Sequence, residues 1–483
     1  MPQQPFPPGS KDGHGGFGPE GAALLRAMAE AAGLPEASLA RAEAAGQGEL
    51  PSVFAVTDLA AASVGVATLA MAELLARRSG RVARVAVDRV LASRWFNRSI
   101  EPQGWALPET WDALAGDYPA RDGWIKLHTN ARHHRQAALR ALGLGGDAGL
   151  DRTAVAAAVR GLDAADLEER VLGEGGCAAE LRSARAWAAH PQGWAVALEP
   201  LLAWGDVPSG AAPAIWPLLA ERPLAGIKVL DLTRILAGPV ATRYLASYGA
   251  QVLRLDPLDW DEPVAAPEVT LGKRRARLDL RSPEGRAVFE GLLARADVLV
   301  HGYRSDALEG LGLGEARRRE RNPALVDVAL DAYGWTGPWR TRRGFDSLVQ
   351  MSVGIAEAGM RLLGRDVPTP LPVQALDHAT GYLLAAAVVR GLIRRVDDGR
   401  GSSARASLAR TAALLTGAGP RLREAPPLRE ERPGDYGAEL ERTPWGPARR
   451  LLPPYALEGT PAFWTLPAGH LGDGDASWGQ GEG

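Results

Sequence analysis

One run constrains the fold more than any other. GIKVLDLT (226–233) reads as a buried strand, and Gly238-Pro239 follows it, with Pro suited to the first turn of a helix. That helix runs through TRYLASYG, and AQVLRLD (250–256) is the next strand. Strand, helix and strand at this spacing make a βαβ unit, whose parallel strands need a crossover helix. ARLDL, the helix SPEGRAVFEGLLARA, and the strands DVLVHGY and ALVDVAL continue the alternation. The expected fold class is α/β, with a doubly wound, Rossmann-like large domain over 223–419 and a smaller α+β domain over 96–216.

Composition narrows the classes of function. A chain of 483 residues has room for about three domains. Lys+Arg 55 against Asp+Glu 57 gives a net charge of −2, so there is no global basic field for nucleic acid or anionic lipid. The single cysteine, Cys177, excludes an intrachain disulfide framework and a Cys-clustered zinc site. Only four of the basic residues are lysines: Lys11, Lys126, Lys228 and Lys273. The most apolar stretch, 54–76, carries Asp58 and Glu73 and is mostly small residues, so no membrane span is expected. The first 20 residues have no apolar signal region and read as a disordered lead-in, and a cytoplasmic location is expected.

Outside the βαβ half the pattern is plainer. Spacing is helical from Gly21 to Ala45 and again from about Leu59 to Arg78, where Ser79-Gly80 stops it. Strand-like alternation begins in 81–92 at Val82, Val85 and Val87, and WIKLH reads as a short strand. Residues 217–222 and 420–444 read as linkers, and the tail 445–483 has aromatic anchors without a period. One internal repeat stands out. TDLAAASVGVATLAMAELLARRSGR (57–81) is similar to LDHATGYLLAAAVVRGLIRRVDDGR (376–400). In each, an Asp opens a helix that ends in paired Arg, and a Gly-Arg stands 22–23 residues after that Asp. The matching offsets point to duplication, which makes 21–95 a helical segment holding a degenerate copy of the later helix.

Several common chemistries lack their motifs. The first βα turn, LTRILAGPVATR, has no G-x-G-x-x-G, so the acid Asp256 at the end of the second strand does not make a dinucleotide site. GLGLGE (310–315) follows a helix and reads as a turn. His128, His133 and His134 lack the i, i+4 spacing of a helical metal pair, and a structural or surface role is expected; no metal site is. Neither H-E-x-x-H nor G-x-S-x-G is present.

Four blocks, in order, carry a resemblance. PLAGIKVLDLTRILAGPVATRYLASYGAQVLRLD (223–256), the block at 271–314, YGWTGPWRTRRGFDSLVQMSVGIAEAGM (333–360) and LPVQALDHATGYLLAAAVVRGLIRR (371–395) resemble the class III CoA-transferase family. That family includes formyl-CoA and carnitine CoA-transferases and the α-methylacyl-CoA racemases. The first half resembles the later part of the same family: a catalytic-type helix, then a small domain ending in His190-Pro191-Gln192. The chain reads as a rearranged or partly duplicated member.

The resemblance implies a CoA-transferase in which Asp377 attacks an acyl-CoA and passes through an aspartyl-CoA thioester, a covalent route that divides one hard displacement. From the residues alone, an Asp at a helix start is first an N-cap. Arg234, Ala237, Lys273, Arg274 and Tyr303 match family positions and are expected to bind CoA, whose phosphates suit cations and helix N-termini. Gly354 and Gly359 are expected to lie where backbone donors stabilise an oxyanion. Asp58 is expected to cap its helix or serve an interface. CoA is implied as a substrate with no tightly bound cofactor, acyl-CoA and carboxylic acid as partners, and a homodimer as the assembly. The loop between Asp256 and Lys273 is shorter than the family's, Gly302-Tyr303-Arg304-Ser305-Asp306 replaces its Asn-Phe-Arg-Pro-Gly, and Gly310 replaces the Arg that follows. The alternatives are an inactive CoA-binding homologue and a racemase; racemases of the family carry His where this chain has Phe345, and His378, though adjacent to Asp377, points in a different direction as its neighbour at a helix start.

Overall fold

The computed structural model describes residues 16–145, 151–205, 216, 218–422 and 424–479. The chain starts with α1 (Gly18–Ala31), so residues 16–20 are not a loose lead-in: Phe17 is buried, and Gly18-Pro19 open the helix. The rest of that expected segment lies outside the described residues. Helix does not continue to Ala45. Gly33 takes a left-handed φ of +67°, a 3₁₀ turn follows at Glu36–Arg41, and β1 (Ala42–Ala45) is extended. Helix α2 (Val56–Ser79) is longer than its periodicity suggested and closes on Gly80, which adopts the left-handed cap conformation that glycine tolerates best. By length and composition α2 could cross a membrane, yet 89% of its apolar window is buried inside the protein. Val82 is exposed, and the strand begins only at β2 (Val85–Asp88), whose Asp88 side chain caps α3 (Arg89–Trp95).

After β3 (Ile100–Pro102), the antiparallel strands β4 (Gly116–Pro119), β5 (Trp124–Leu127) and β6 (Ala178–Glu180) form a small sheet. Helix α4 (Arg132–Ala141) and the helices Arg152–Arg160 and Ala164–Gly173 cover it, around Leu114, Tyr118, Ile125, Val155 and Leu167.

The main sheet has seven strands: β7 (Ala203–Gly205), β8 (Lys228–Leu232), β9 (Gln251–Asp256), β10 (Lys273–Arg277), β11 (Val298–His301), β12 (Val326–Asp331) and β13 (Ser402–Ser407). Their spatial order is β10-β9-β8-β11-β12-β13-β7, all parallel except the antiparallel edge β7. Successive strand residues point to opposite faces. Val229, Val252, Val298 and Val326 join one core with α5 (Ala237–Ser247), α2 and α8 (Ala375–Asp398), while Leu230, Leu253, Leu299 and Leu325 join a second core with Phe289 and Leu293. The strand expected at 276–280 sits three residues earlier, because Lys273 turns inward and is neutralised there by Asp231.

Further along lie α6 (Asp346–Ser352), α7 (Ile355–Leu362), α8, and α9 (Leu408–Thr416) after β13. The expected connector and tail are not structureless. They hold β14 (Glu441–Thr443), β15 (Gly446–Arg450) and β16 (Tyr455–Leu457). β15 pairs with β3, and β16 pairs with β2, so the tail is stitched back onto the N-terminal part of the chain. Trp464 stacks on Trp95 at 5.7 Å, and Trp478 is buried with its Nε1 donating to Leu292 O.

Candidate functional site

In the main sheet, strand order reverses between β8 and β11, and crevices at such points, beyond the carboxyl ends of parallel strands, are where ligands bind. Arg234 leaves the end of β8 and Tyr303 the end of β11. The Arg234 guanidinium lies between the rings of Trp260, 4.6 Å away, and Tyr303, 5.2 Å away, and its Nη2 donates to the Tyr303 hydroxyl at 3.3 Å. The turn itself is tense. Ile235 has φ +64°, a region side chains other than glycine seldom enter. It is held there by its N–H, which donates to Glu262 Oε2 at 2.8 Å. Glu262 also pairs with Arg254, which reaches Asp256 at 2.9 Å, so the short segment after β9 clamps the turn. Strain of this kind concentrates where function needs a fixed geometry.

Asp377 stands at the start of α8, which packs on the helix that follows this turn. It is the third residue of α8, 8% exposed, and its N–H donates to Asp346 Oδ2 at 2.9 Å. Gly381, one turn later, lies directly on α5: a Cβ there would come within 2.4 Å of Ala237 O. Ala237 is thus buried at the α5 N-terminus, packed under the first turns of α8. Asp346 is itself fixed by Gln350, whose Nε2 donates to Oδ1 at 2.5 Å and whose Oε1 accepts from Leu371 N at 2.7 Å. Burial pushes the Asp346 carboxyl up to about 6. Burial, then the neighbouring Asp346 charge, holds Asp377 well above the usual carboxylate range.

The small sheet's helices close the crevice. Phe345 stacks on His128 at 3.8 Å, and Cys177 Sγ lies 3.6 Å from His134 Nε2. Burial lowers His128 to about 4 and His134 to about 3, and raises the Cys177 thiol to about 12, so these are neutral packing groups. Among the described residues no group of three or more His, Cys, Asp or Glu is placed to hold a metal ion. His133 is exposed at the start of α4, where partial desolvation and the nearby positive charges of Arg343 and Arg234 depress it. Arg304 and Arg343 add to the positive field felt at Cys177. Arg304, Arg343 and Asp346 are not marked as site residues by the sequence, and His133 reads there only as structural or surface. Tertiary packing brings His133 within the field of Arg234 and Arg343, and Asp346 onto the Asp377 N–H, although Asp346 lies in the quoted block at 333–360.

Other expectations are corrected. Lys273 does not face the crevice: its side chain is 0% exposed, and Nζ donates to Asp231 Oδ2 and Pro239 O, both at 2.9 Å. Burial outweighs the Asp231 attraction and lowers the ammonium to about 8, while Lys273 and Arg254 hold the Asp231 carboxyl below its usual range. Lys273 is a strut under the βα turn. Arg274 is half-buried on edge strand β10 with its guanidinium against Gly479 in the tail, away from Arg234's turn. Gly354, at φ +89°, and Gly359 are packing glycines: a Cβ would strike Ala184 N in the first and Thr369 O in the second. His378 is no second base, as its place next to Asp377 at a helix start already implied. It is buried, stacked 4.9 Å from Phe96, and depressed to about 3 by burial.

Residues 224–437 match CoA-transferase family III. An acyl-CoA transferase of Fusarium pseudograminearum is 35% identical over 222 residues, covering 41% of this chain and 47% of that protein. The human succinyl-CoA:glutarate CoA-transferase is 32% identical over 195 residues, covering 37% and 44%. The crystal structure of Rv3272 from M. tuberculosis is 32% identical with a TM-score of 0.37, covering 41% of this chain and 57% of that one. The chain spans about half the length of the curated relatives it matches. The family III segment starts just before β8 and runs past α9, so it holds Arg234, Tyr303, Asp346 and Asp377 together.

Proposed function

We propose that the chain transfers CoA between an acyl-CoA and a carboxylic acid, with Asp377 as the carrier carboxylate. One observation carries this: the Asp377 end of α8, held by Asp346, is packed onto the N-terminus of α5, the helix that follows Arg234 at the carboxyl end of β8. The strand order, and the cores on both faces of the sheet, support the doubly wound, Rossmann-like reading of this domain. CoA phosphates suit the α5 N-terminus and the Arg234, Arg304 and Arg343 cations. Relatives named for succinyl-CoA, glutarate and L-malate make small dicarboxylates the first acids to test. No tightly bound cofactor is needed, and a cytoplasmic location agrees with this substrate class.

An Asp377 oxygen attacks the thioester carbonyl; the C–S bond breaks and its electron pair leaves with the CoA thiolate, giving an acyl-aspartyl anhydride. The thiolate then attacks the aspartyl carbonyl, releases the original acid as its carboxylate, and forms the aspartyl-CoA thioester. An incoming carboxylate reverses both steps and departs as the new CoA ester. Asp377 must shed its proton first, so turnover is expected to rise with pH through a value above the ordinary Asp range. Incubation with succinyl-CoA followed by borohydride reduces the aspartyl thioester to an alcohol. Peptide mass should place that alcohol at residue 377 and lose it in Asp377→Ala; an unlabelled wild-type chain would refute the reading.

A further inference from the structure

Two parts of the chain are built alike, and each finishes the other. Helices α2 and α8 are both 24 residues long, both carry an Asp at the third position, and both close on a left-handed glycine, Gly80 at φ 71° and Gly399 at φ 69°. The correspondence continues beyond the helices at one constant offset. Val85 matches Ala404, and Asp88, the side-chain cap of α3, matches Ser407, the side-chain cap of α9. Each final strand pairs in parallel with an earlier one, Ala45 opposite Asp88 and Asp331 opposite Ser407.

The strands that complete the two sheets are exchanged. β7, which follows the small sheet of the first half, lies antiparallel on β13 of the second, with Trp204 opposite Ala404 and Ala203 opposite Arg405. β16, from the tail of the second half, lies antiparallel on β2 of the first, with Leu457 opposite Val85 and Ala456 opposite Ala86. Each exchanged strand covers the free edge of the other half's duplicated strand. The duplicated helices pack on each other, and Arg77 pairs with Asp397 at 2.7 Å near their C-terminal ends.

The halves differ at the carboxylates. The first half has a three-stranded sheet with no counterpart of β8 to β11 among the described residues, so it lacks the crevice that holds Arg234 and Tyr303. Arg89 Nη1 pairs with Asp58 Oδ1 at 2.5 Å, and α1 covers the carboxylate through Gly21. The position matching Arg89 is Leu408, a buried apolar residue, so no cation occupies that place beside Asp377. We propose that the chain holds two copies of one helix–strand–helix element, each completed by a strand from the other half, in which Asp377 is the working carboxylate and Arg89 has converted Asp58 into a structural ion pair. The single-site claim rests on the function proposed above; the Arg89 lock does not.

The test therefore has two independent arms. In thermal unfolding, Arg89→Leu and Asp58→Asn should each lower Tm, and the double variant should lose clearly less than the two losses combined, the coupling expected of a partly buried pair. Additive losses would overturn the lock. Borohydride trapping with succinyl-CoA should label one residue per chain, Asp377, in a protein whose mass by light scattering is that of one 51.0 kDa chain. Label on Asp58, or a dimer that dissociates only with loss of labelling, would overturn the self-contained single site. Absence of all label would refute the proposed function instead, leaving the Tm cycle to decide the lock.

Discussion

Replacing Lys273 by Met separates a strut from a ligand-binding cation. In the wild type, Nζ neutralises Asp231 and bonds the Pro239 carbonyl, with both side chains of the pair 0% exposed. Asp231 also accepts from the N–H and hydroxyl of Thr233 and from Thr242, so the substitution leaves a buried, still hydrogen-bonded carboxylate with its nearest cation gone. Removing one member of such a pair costs about 3–5 kcal/mol. At about 2–4 °C per kcal/mol for a unit of 150–250 residues, the apparent Tm should fall by about 6–20 °C. The double variant Lys273→Met with Asp231→Asn should regain much of the loss, because no uncompensated charge remains. Differential scanning fluorimetry and CoA titration at two salt concentrations are the assays. An unchanged Tm, with CoA affinity weakened in a salt-dependent way, would refute the strut and return Lys273 to the phosphates.

Further outcomes follow from the same chemistry. Asp346, unfolded at about 3.8 and folded at about 6, binds its proton more tightly in the native state, so stability falls as pH rises from about 4 to 6, by about 3 kcal/mol. Asp346→Asn should remove that fall in urea melts compared at pH 4 and 7, and should move the acid limb of kcat/KM to lower pH by relieving Asp377. Glu268, buried between Arg243 and Arg450 and held at about 2, contributes stability that is present above its ordinary 4.5 and lost as pH falls toward 2. Glu268→Gln should therefore cost about 3 kcal/mol at pH 7, with the gap to wild type narrowing in acid unfolding curves. Gly381→Val should drive α8 off α5, seen as loss of the cooperative thermal transition and of labelling at Asp377. Millimolar CoA should raise the wild-type Tm, since a ligand that binds only the native state stabilises it; no shift with any CoA ester would refute the proposed crevice.

Local pattern alone determined much of this protein. The apolar runs of β8, β9 and β11 are buried on both faces, so they announce themselves without neighbours, and Gly-Pro after the first strand marks the helix that returns to the sheet. The duplicated helix was equally legible, because a helix of 24 residues leaves a periodic record and its glycine cap a fixed end. Tertiary structure decided what those pieces do. Lys273 reads as a surface cation until Asp231, 42 residues away, draws it into the core. Nothing local marks Asp346 until the Asp377 N–H donates to it. Strands β7, β15 and β16 are three to five residues long with little period of their own, and they exist because β13, β3 and β2 offer unpaired edges. Asp58 and Asp377 open helices of the same kind, and in sequence only the βαβ half and the GFDSLVQ run before Asp377 set them apart. The difference between them lies in one arginine, a leucine at the matching place, and the four strands that only one half possesses, since the charge and burial around a carboxylate come from residues distant in the chain.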